Sequence, residues 1–366
     1  MAHATGSANS PQVLLRRMTA YAGVRVLCWD GDILYGCRGY DIVRWRAGSN
    51  GWEPVAGFRP PWWRSITART RLASRLMRDG FHALAVLPGG TMIGAVPGAI
   101  VTLAKGEREF RVTHRNPPRH RPLHIAATPP GTVYWGEYFD NRERREVRIH
   151  ASHDRGATWQ VGYVFPAASI RHVHNIVYDR WGDCLWILTG DEGAECRVLR
   201  ASCDLQSVET VLAGNQQARA VAAIPTADAL YLSTDTPYEA NHVYRLLRSG
   251  QIAAVGDLNA SSIYGCRAGD ALFFSTMVEP SAVNISGEVH IAGARPDGEW
   301  RTLARWKKDR YPTRYFQYGN AILPDGENAT RFLAATTVAV TPEDCTTTIW
   351  EVTEPAHHER ERPPVL

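Results

Sequence analysis

Short apolar runs, many alternating with polar residues and each bounded by Gly, Pro, Asp or Asn, fill this chain. A period of two is the mark of half-buried strands, and helical periodicity is scarce. Only the stretch from Arg64 to Met77 reads as a helix. The strands group in fours. The first set runs from Val24 through Ile33–Cys37 and Ile42–Trp45 to Trp52–Val55, and later sets begin at His82, near His124, at His172, Arg219, Ser262 and Tyr315. Four antiparallel strands recurring every ~40–60 residues predict an all-β propeller, with seven four-stranded blades favoured and six as the competing count. The last set lacks an outer strand, while the apolar segment Val13 to Met18 stands unassigned ahead of the first. We therefore expect the N-terminal strand to close the ring and remove an exposed edge. The expected organisation is a flexible stretch over residues 1–11, one propeller domain over 12–353 and a charged, Pro-rich tail over 354–366.

The eight residues Ser152-His153-Asp154-Arg155-Gly156-Ala157-Thr158-Trp159 read S-x-D-x-G-x-T-W. Asp154 can accept from backbone amides of its own turn, and Gly156 supplies a conformation that a side chain would forbid. This stretch resembles the Asp box (BNR repeat) of sialidase-like and other carbohydrate-active β-propellers. The resemblance covers one turn and implies a folding device between two strands of a blade, among relatives that act on glycans. Sialidases hold their substrate's carboxylate with three arginines from separate blades. This chain has no Arg-Ile-Pro segment near its start and no assignable Tyr–Glu nucleophile pair, which argues against a true sialidase and leaves an acidic sugar such as a uronic acid.

Composition narrows the ligand. With 366 residues, 44% of them hydrophobic, the chain can bury a large core as one domain. A formal charge of +4, with Lys and Arg scattered and not in a block, predicts an acidic small ligand and no nucleic-acid partner. Met1 to Pro11 lacks the apolar core of a signal peptide, and no apolar run approaches the ~20 residues of a membrane span. The odd number of cysteines, seven, falls mostly in strand-like runs, so a cytoplasmic protein with reduced thiols and no membrane partner is expected.

Blade topology sorts the loops into two faces. In a blade of strands a to d, the d-to-a and b-to-c connections share one face, and the a-to-b and c-to-d turns share the other. The a-to-b turns, such as Asp30-Gly31-Asp32 and Trp181-Gly182-Asp183, are short, and the Asp-box turn falls with them. The opposite face collects long polar loops held by a rigid scaffold. Its b-to-c loops carry Glu137 and Tyr138, Asp191, Asp235, Tyr238, Glu239 and Asn241, and Glu279. Its d-to-a connections carry His120 to His124, Arg171, His172 and His174, Gln217 and Arg219, and Arg314, Tyr315 and Gln317.

His172 and His174, two apart on a strand, project from one face. They could share a divalent metal, completed by Gln217, His124 or Asp191, or one could act as a base near neutral pH. Arg171, Arg219 and Arg314 offer guanidinium forks for a carboxylate. The expected catalytic set is His172, His174, Asp191, Asp235 and Glu279. The expected substrate-binding set is Glu137, Tyr138, Arg171, Gln217, Arg219, Tyr238, Glu239, Asn241, Arg314, Tyr315 and Gln317. Neither His174 nor Arg219 is expected to carry stability.

A divalent metal is the candidate cofactor and an acidic saccharide the expected partner. The leading expectation is a glycoside hydrolase using two carboxylates on an acidic oligo- or polysaccharide. The alternative is a uronate lyase, in which Arg or a metal neutralises the carboxylate while a His or Tyr removes the C5 proton. A third reading, from a different class, is a non-enzymatic propeller that binds glycan or protein on the same face.

Overall fold

The computed structural model describes residues 12–354, so the N-terminal stretch 1–11 and the tail beyond Glu354 lie outside the described residues. The chain begins with β1 (Leu14–Ala22) and continues as strands β2–β5 (Arg25–Gly31, Ile33–Arg38, Asp41–Trp45, Glu53–Gly57). Helices α1 (Trp62–Thr67) and α2 (Arg71–Met77) follow, then β6–β9 (Ala83–Val86, Met92–Val96, Ala99–Leu103, Arg111–Arg115) and β10–β13 (Ala126–Ala127, Val133–Gly136, Val147–Ser152, Gln160–Phe165). Next come β14–β17 (His172–Asp179, Cys184–Gly190, Arg197–Ser202, Val208–Ala213) and β18–β21 (Ala220–Pro225, Ala229–Thr234, Asn241–Leu247, Ile252–Leu258). The chain ends with β22–β25 (Ser262–Ala268, Ala271–Val278, Glu288–Ala294, Arg301–Lys308), α3 (Thr313–Phe316) and β26–β30 (Gly319–Ile322, Asp325–Asn328, Phe332–Val338, Val340–Thr341, Thr346–Thr353).

This is an all-β propeller, but its blades are neither seven nor six separate sheets. Five sheets stand alone as blades: β2–β5, β6–β9, β10–β13, β14–β17 and β18–β21, the first extended by β27, which lies parallel to β2. The strands of the sixth and seventh predicted sets merge into one nine-stranded sheet. Two pairings join them: β23 runs long enough for Met277 and Val278 to pair with Asn320 and Gly319 of β26, and Lys307 and Lys308 of β25 pair with Thr341 and Val340 of β29. The predicted seventh set also begins too early, since Tyr315 lies in the single helical turn α3 and the inner strand β26 starts at Gly319.

The N-terminal strand does take the outer edge. β1 pairs antiparallel with β30 from Leu14 opposite Thr353 to Ala22 opposite Thr346, with a slip in register at Met18. Deleting residues 12–22 would expose that edge of β30, and thermal unfolding should show a melting temperature at least ~5 °C lower, with aggregation. An unchanged melting curve would show that β1 carries no part of the fold.

The predicted single helix is two. After Thr67 the backbone tightens, with the amides of Arg69 and Thr70 donating to carbonyls three residues back, and α2 restarts at Arg71. Asp79 ties the pair to the first blade, accepting from Arg64 (2.6 Å), Thr67 (2.5 Å) and Tyr40 (3.0 Å). Buried Arg75 reaches Asp309 at 2.6 Å and Asp344 at 2.9 Å, which pins α2 over the nine-stranded sheet. Arg78, in the left-handed region at φ 54°, ends α2 and turns the chain toward the central channel.

The Ser152–Trp159 turn forms as its residues dictate. Burial is the largest single influence on the Asp154 carboxyl and would raise its pKa, but the hydrogen bonds it accepts from the Thr158 amide (2.9 Å), the Thr158 hydroxyl (2.6 Å) and Ser152 (2.8 Å) together hold it down at about 2. Gly156 has φ 82°, and a Cβ there would meet Ile93 of the neighbouring blade at 2.7 Å. The turn therefore joins two blades and lies far from the polar loops. Among the described residues no helix is long and apolar enough to cross a membrane.

Candidate functional site

Two cavities open along the channel. The larger, about 1070 Å³, lies on the face of the short turns and is lined by Pro88, Pro129, Trp181 and Gly269 among others. Four of its ionisable side chains are tied in pairs, His124 to Asp325 at 2.9 Å and Arg180 to Glu327 at 3.3 Å. The smaller, about 450 Å³, lies on the face of the long loops, and its wall contains Tyr138, Arg171, His174, Asp191, Arg219, Asp235, Tyr238, Glu279 and Gln317.

Five of these side chains are placed by strand ends. Arg171 and Arg219 immediately precede the inner strands β14 and β18, and Asp191, Asp235 and Glu279 immediately follow β15, β19 and β23. Inner strands of a propeller converge on the axis, so groups at their ends from successive blades meet there. His172 and His174 share the inward side of β14, both buried. The neighbouring strand must end in glycine, because a Cβ on Gly190 would lie 2.5 Å from Cε1 of His174.

The imidazoles are fixed in one tautomer. Nδ1 of His172 donates to the Phe139 carbonyl (3.0 Å) and Nδ1 of His174 to the Ala220 carbonyl (2.9 Å), since a carbonyl can only accept. Burial pushes the His174 pKa down, so at neutral pH its Nε2 presents a lone pair. Yet Nε2 of His174 lies 3.1 Å from Nε2 of His172 and 3.1 Å from Oδ1 of Asp191, and the His172–Asp191 separation is 3.4 Å. Burial alone would raise the Asp191 pKa, but its contacts with His172 and His174 carry it far below the usual carboxylate range.

Three electron-pair donors facing one point repel unless a cation sits among them. Donors about 2.0–2.2 Å from one ion lie roughly 3.0–3.4 Å apart, which is the triangle His172, His174 and Asp191 make. The residues fit a divalent first-row metal. Three protein ligands leave coordination positions open, the arrangement of a catalytic ion more than a structural one. Neither Gln217 nor His124 completes the set: Gln217 bonds Glu239 and Tyr244, and His124 bonds Asp325.

Arginines frame the triangle. Arg171 lies 3.1 Å from Asp191, and Arg219 lies 3.3 Å from both Asp191 and Asp235. Asp235 is the other electrostatic feature: burial raises its pKa to about 7 against the opposing charge of Arg219. Burial also raises Glu279, which hydrogen-bonds Tyr318. The Tyr138 ring lies 4.1 Å from that of His172, and burial holds its phenol up at about 12.

Several sequence candidates fall elsewhere. Glu137 turns into the blade, accepting from the Arg148 amide (3.0 Å) and facing His150 (3.4 Å). Gln217 and Glu239 bond each other outside the cavity wall. Asn241 braces its own loop, accepting from the Thr236 amide and donating to Asn284. Arg314 and Tyr315 sit exposed on α3 and stack on one another, because that segment is a helical turn and not the start of a strand. Conversely, Arg25, Arg78 and His82 line the cavity without having been singled out, and Arg121 joins them from within the His120–His124 segment. Arg25 and His82 lie at or beside the starts of inner strands, the position that marks Arg171 and Arg219; Arg78 carries no such signal, since α2 places it.

Fold and site together define a β-propeller with a polar pocket at one mouth of its channel. Similar solved structures include an oligogalacturonate lyase from Vibrio parahaemolyticus (TM-score 0.57, 8% identity, 93% of this chain and 92% of that one). They also include the WD40 β-propeller domain of Doa1 (0.56, 8%, 93% and 97%) and an ancestral GH74 enzyme (0.54, 12%, 93% of this chain and 47% of that one). At such identities the likeness is one of fold, shared by enzymes and a WD40 domain alike. No family model matches the sequence, and no curated protein matches it. The resemblance to Asp-box propellers thus rests on the one turn.

Proposed function

We propose that this propeller cleaves an acidic oligo- or polysaccharide by β-elimination beside a uronate carboxylate. The observation that carries this reading is the convergence of His172 Nε2, His174 Nε2 and Asp191 on one point at the cavity wall. A divalent cation held there would neutralise the uronate carboxylate and acidify the C5–H bond. The imidazoles, committed to that point, are then not the base expected from sequence. Asp235 takes that role: its ionised carboxylate accepts the C5 proton, the electron pair forms the C4–C5 double bond, and the C4–oxygen bond breaks. Tyr138, protonated at neutral pH and in the same wall, supplies a proton to the leaving oxygen. Two fold neighbours named for a lyase and a GH74 enzyme support a carbohydrate-directed reading without deciding between chemistries.

The hydrolase reading has one observation in its favour. Arg219 bridges an acid held ionised, Asp191, and one held largely protonated below pH 7, Asp235, which is how acid and base roles are divided in glycosidases. The pH profile separates the two. A base must be ionised, so lyase turnover should rise as pH climbs through about 7, whereas a general acid at Asp235 would lose turnover over the same range. Incubation with polygalacturonate and other acidic polysaccharides, following ultraviolet absorbance of an unsaturated uronate alongside reducing ends, gives the direct test. Reducing ends alone indicate hydrolysis, and neither signal on any acidic polysaccharide sinks the enzymatic reading.

A further inference from the structure

The metal-ligand triangle occupies one part of the cavity wall; another part is cationic and unmatched. Arg25, Arg78 and Arg121 all line the cavity, with His82 among them. They come from different elements: Arg25 opens β2, Arg78 ends α2, and Arg121 lies in the connection to β10. The carboxylates of the same wall are engaged elsewhere: Asp191 with Arg171 and Arg219, Asp235 with Arg219, Glu192 with Arg144, and Glu279 with the Tyr318 hydroxyl, while Asp79 beside Arg78 pairs with Arg64. Among the described residues none of the three guanidinium groups has a carboxylate partner, and Nε of Arg25 is buried without any hydrogen-bond acceptor. Their mutual proximity shows in what they do to each other. Burial pushes the Arg121 pKa down and the charge of Arg78 pushes it further, while burial and then Arg121, Arg25 and Arg78 hold His82 well below its ordinary value. His82 is therefore a neutral hydrogen-bonding group inside a cationic cradle.

Like charges gathered at a partly desolvated wall cost stability unless a ligand offsets them. We infer that Arg25, Arg78 and Arg121 form an oxyanion subsite, separate from the metal-ligand triangle, which takes a second acidic group of the saccharide. The inference rests on the reading that the pocket binds an acidic saccharide, and it adds that the ligand carries at least two anionic residues. Tyr264 and Tyr318, in the same wall, offer faces and a hydroxyl to the sugar between those two charges. A neutral or fully esterified chain would leave the arginines unpaired and should be rejected.

The test is binding, without turnover and without metal. Chelator-treated protein is titrated calorimetrically with a galacturonate disaccharide, its methyl ester and inorganic sulfate, for wild type, Arg121→Gln and Arg78→Gln. Wild type should bind the disaccharide and sulfate but not the ester, and each variant should bind both anions at least ~10-fold more weakly, the usual scale for losing a charged hydrogen bond. Arg78 is exposed, so its variant should fold even if loss of half-buried Arg121 disturbs the chain. Failure of wild type to bind the disaccharide, or variants that match wild type, overturns the subsite. Binding without turnover on any acidic polysaccharide would sink the catalytic reading and leave the subsite standing; turnover with unaffected variants would do the reverse.

Discussion

His174→Ala is expected to lower turnover at least ~10²-fold and to lose the bound divalent ion in the same step. Both imidazoles are oriented by backbone carbonyls, so His172 would keep its place while the triangle loses one of three donors. Metal analysis after dialysis should find about one ion per wild-type chain and far less in the variant. After chelation, added Mn²⁺ or Zn²⁺ should restore wild type and not His174→Ala. His174 is buried against Gly190, so the variant also opens a small cavity, and some stability falls with it. A variant that retains metal and rate would return both histidines to a structural role.

Arg219→Ala should have the largest combined effect. The sequence reading expects this arginine to be removable at little cost, and the geometry contradicts that. Its guanidinium lies 3.3 Å from both Asp191 and Asp235, so its loss leaves buried Asp235 with no cation and Asp191 with Arg171 alone. Breaking such a pair typically costs about 3–5 kcal/mol, and turnover should drop ~10²-fold or more. The cost has a defined pH dependence. Asp235 has a folded pKa raised to about 7, above its unfolded value, so the folded state binds the extra proton and stability falls as pH rises from about 4 through about 7. Removing Arg219 raises that pKa further and carries the loss to higher pH. Chemical denaturation at pH 5 and pH 8 should therefore show the larger deficit at pH 8. An equal deficit at both would mean that Asp235 is not the group Arg219 holds.

The strand content, the fourfold grouping and the division of loops between two faces were legible because they depend on local patterns: alternation along strands, glycine and proline at turns, polar residues in long connections. The same logic located His172, His174, Asp191, Asp235, Glu279, Arg171 and Arg219 as residues of one mouth, since strand ends in a propeller meet at the axis. The outer-edge role of β1 was legible too, from an apolar segment without a set and a set without an edge.

What tertiary structure decided is of longer range. Whether the final two sets stay apart depends on a few backbone pairs, β23 with β26 and β25 with β29, each joining residues more than thirty apart in sequence and invisible to periodicity. That Glu137 bonds inward to Arg148 and His150 while Asp191 faces the axis is a choice of side-chain direction, made by packing and not by residue type. The cationic cradle shows the point best. Arg25, Arg78 and Arg121 are ordinary arginines scattered over nearly a hundred residues, and a sequence cannot say which arginines find carboxylates. Only the closed ring brings them together and leaves them unpaired, because charge pairing depends on distance in space and not on separation along the chain.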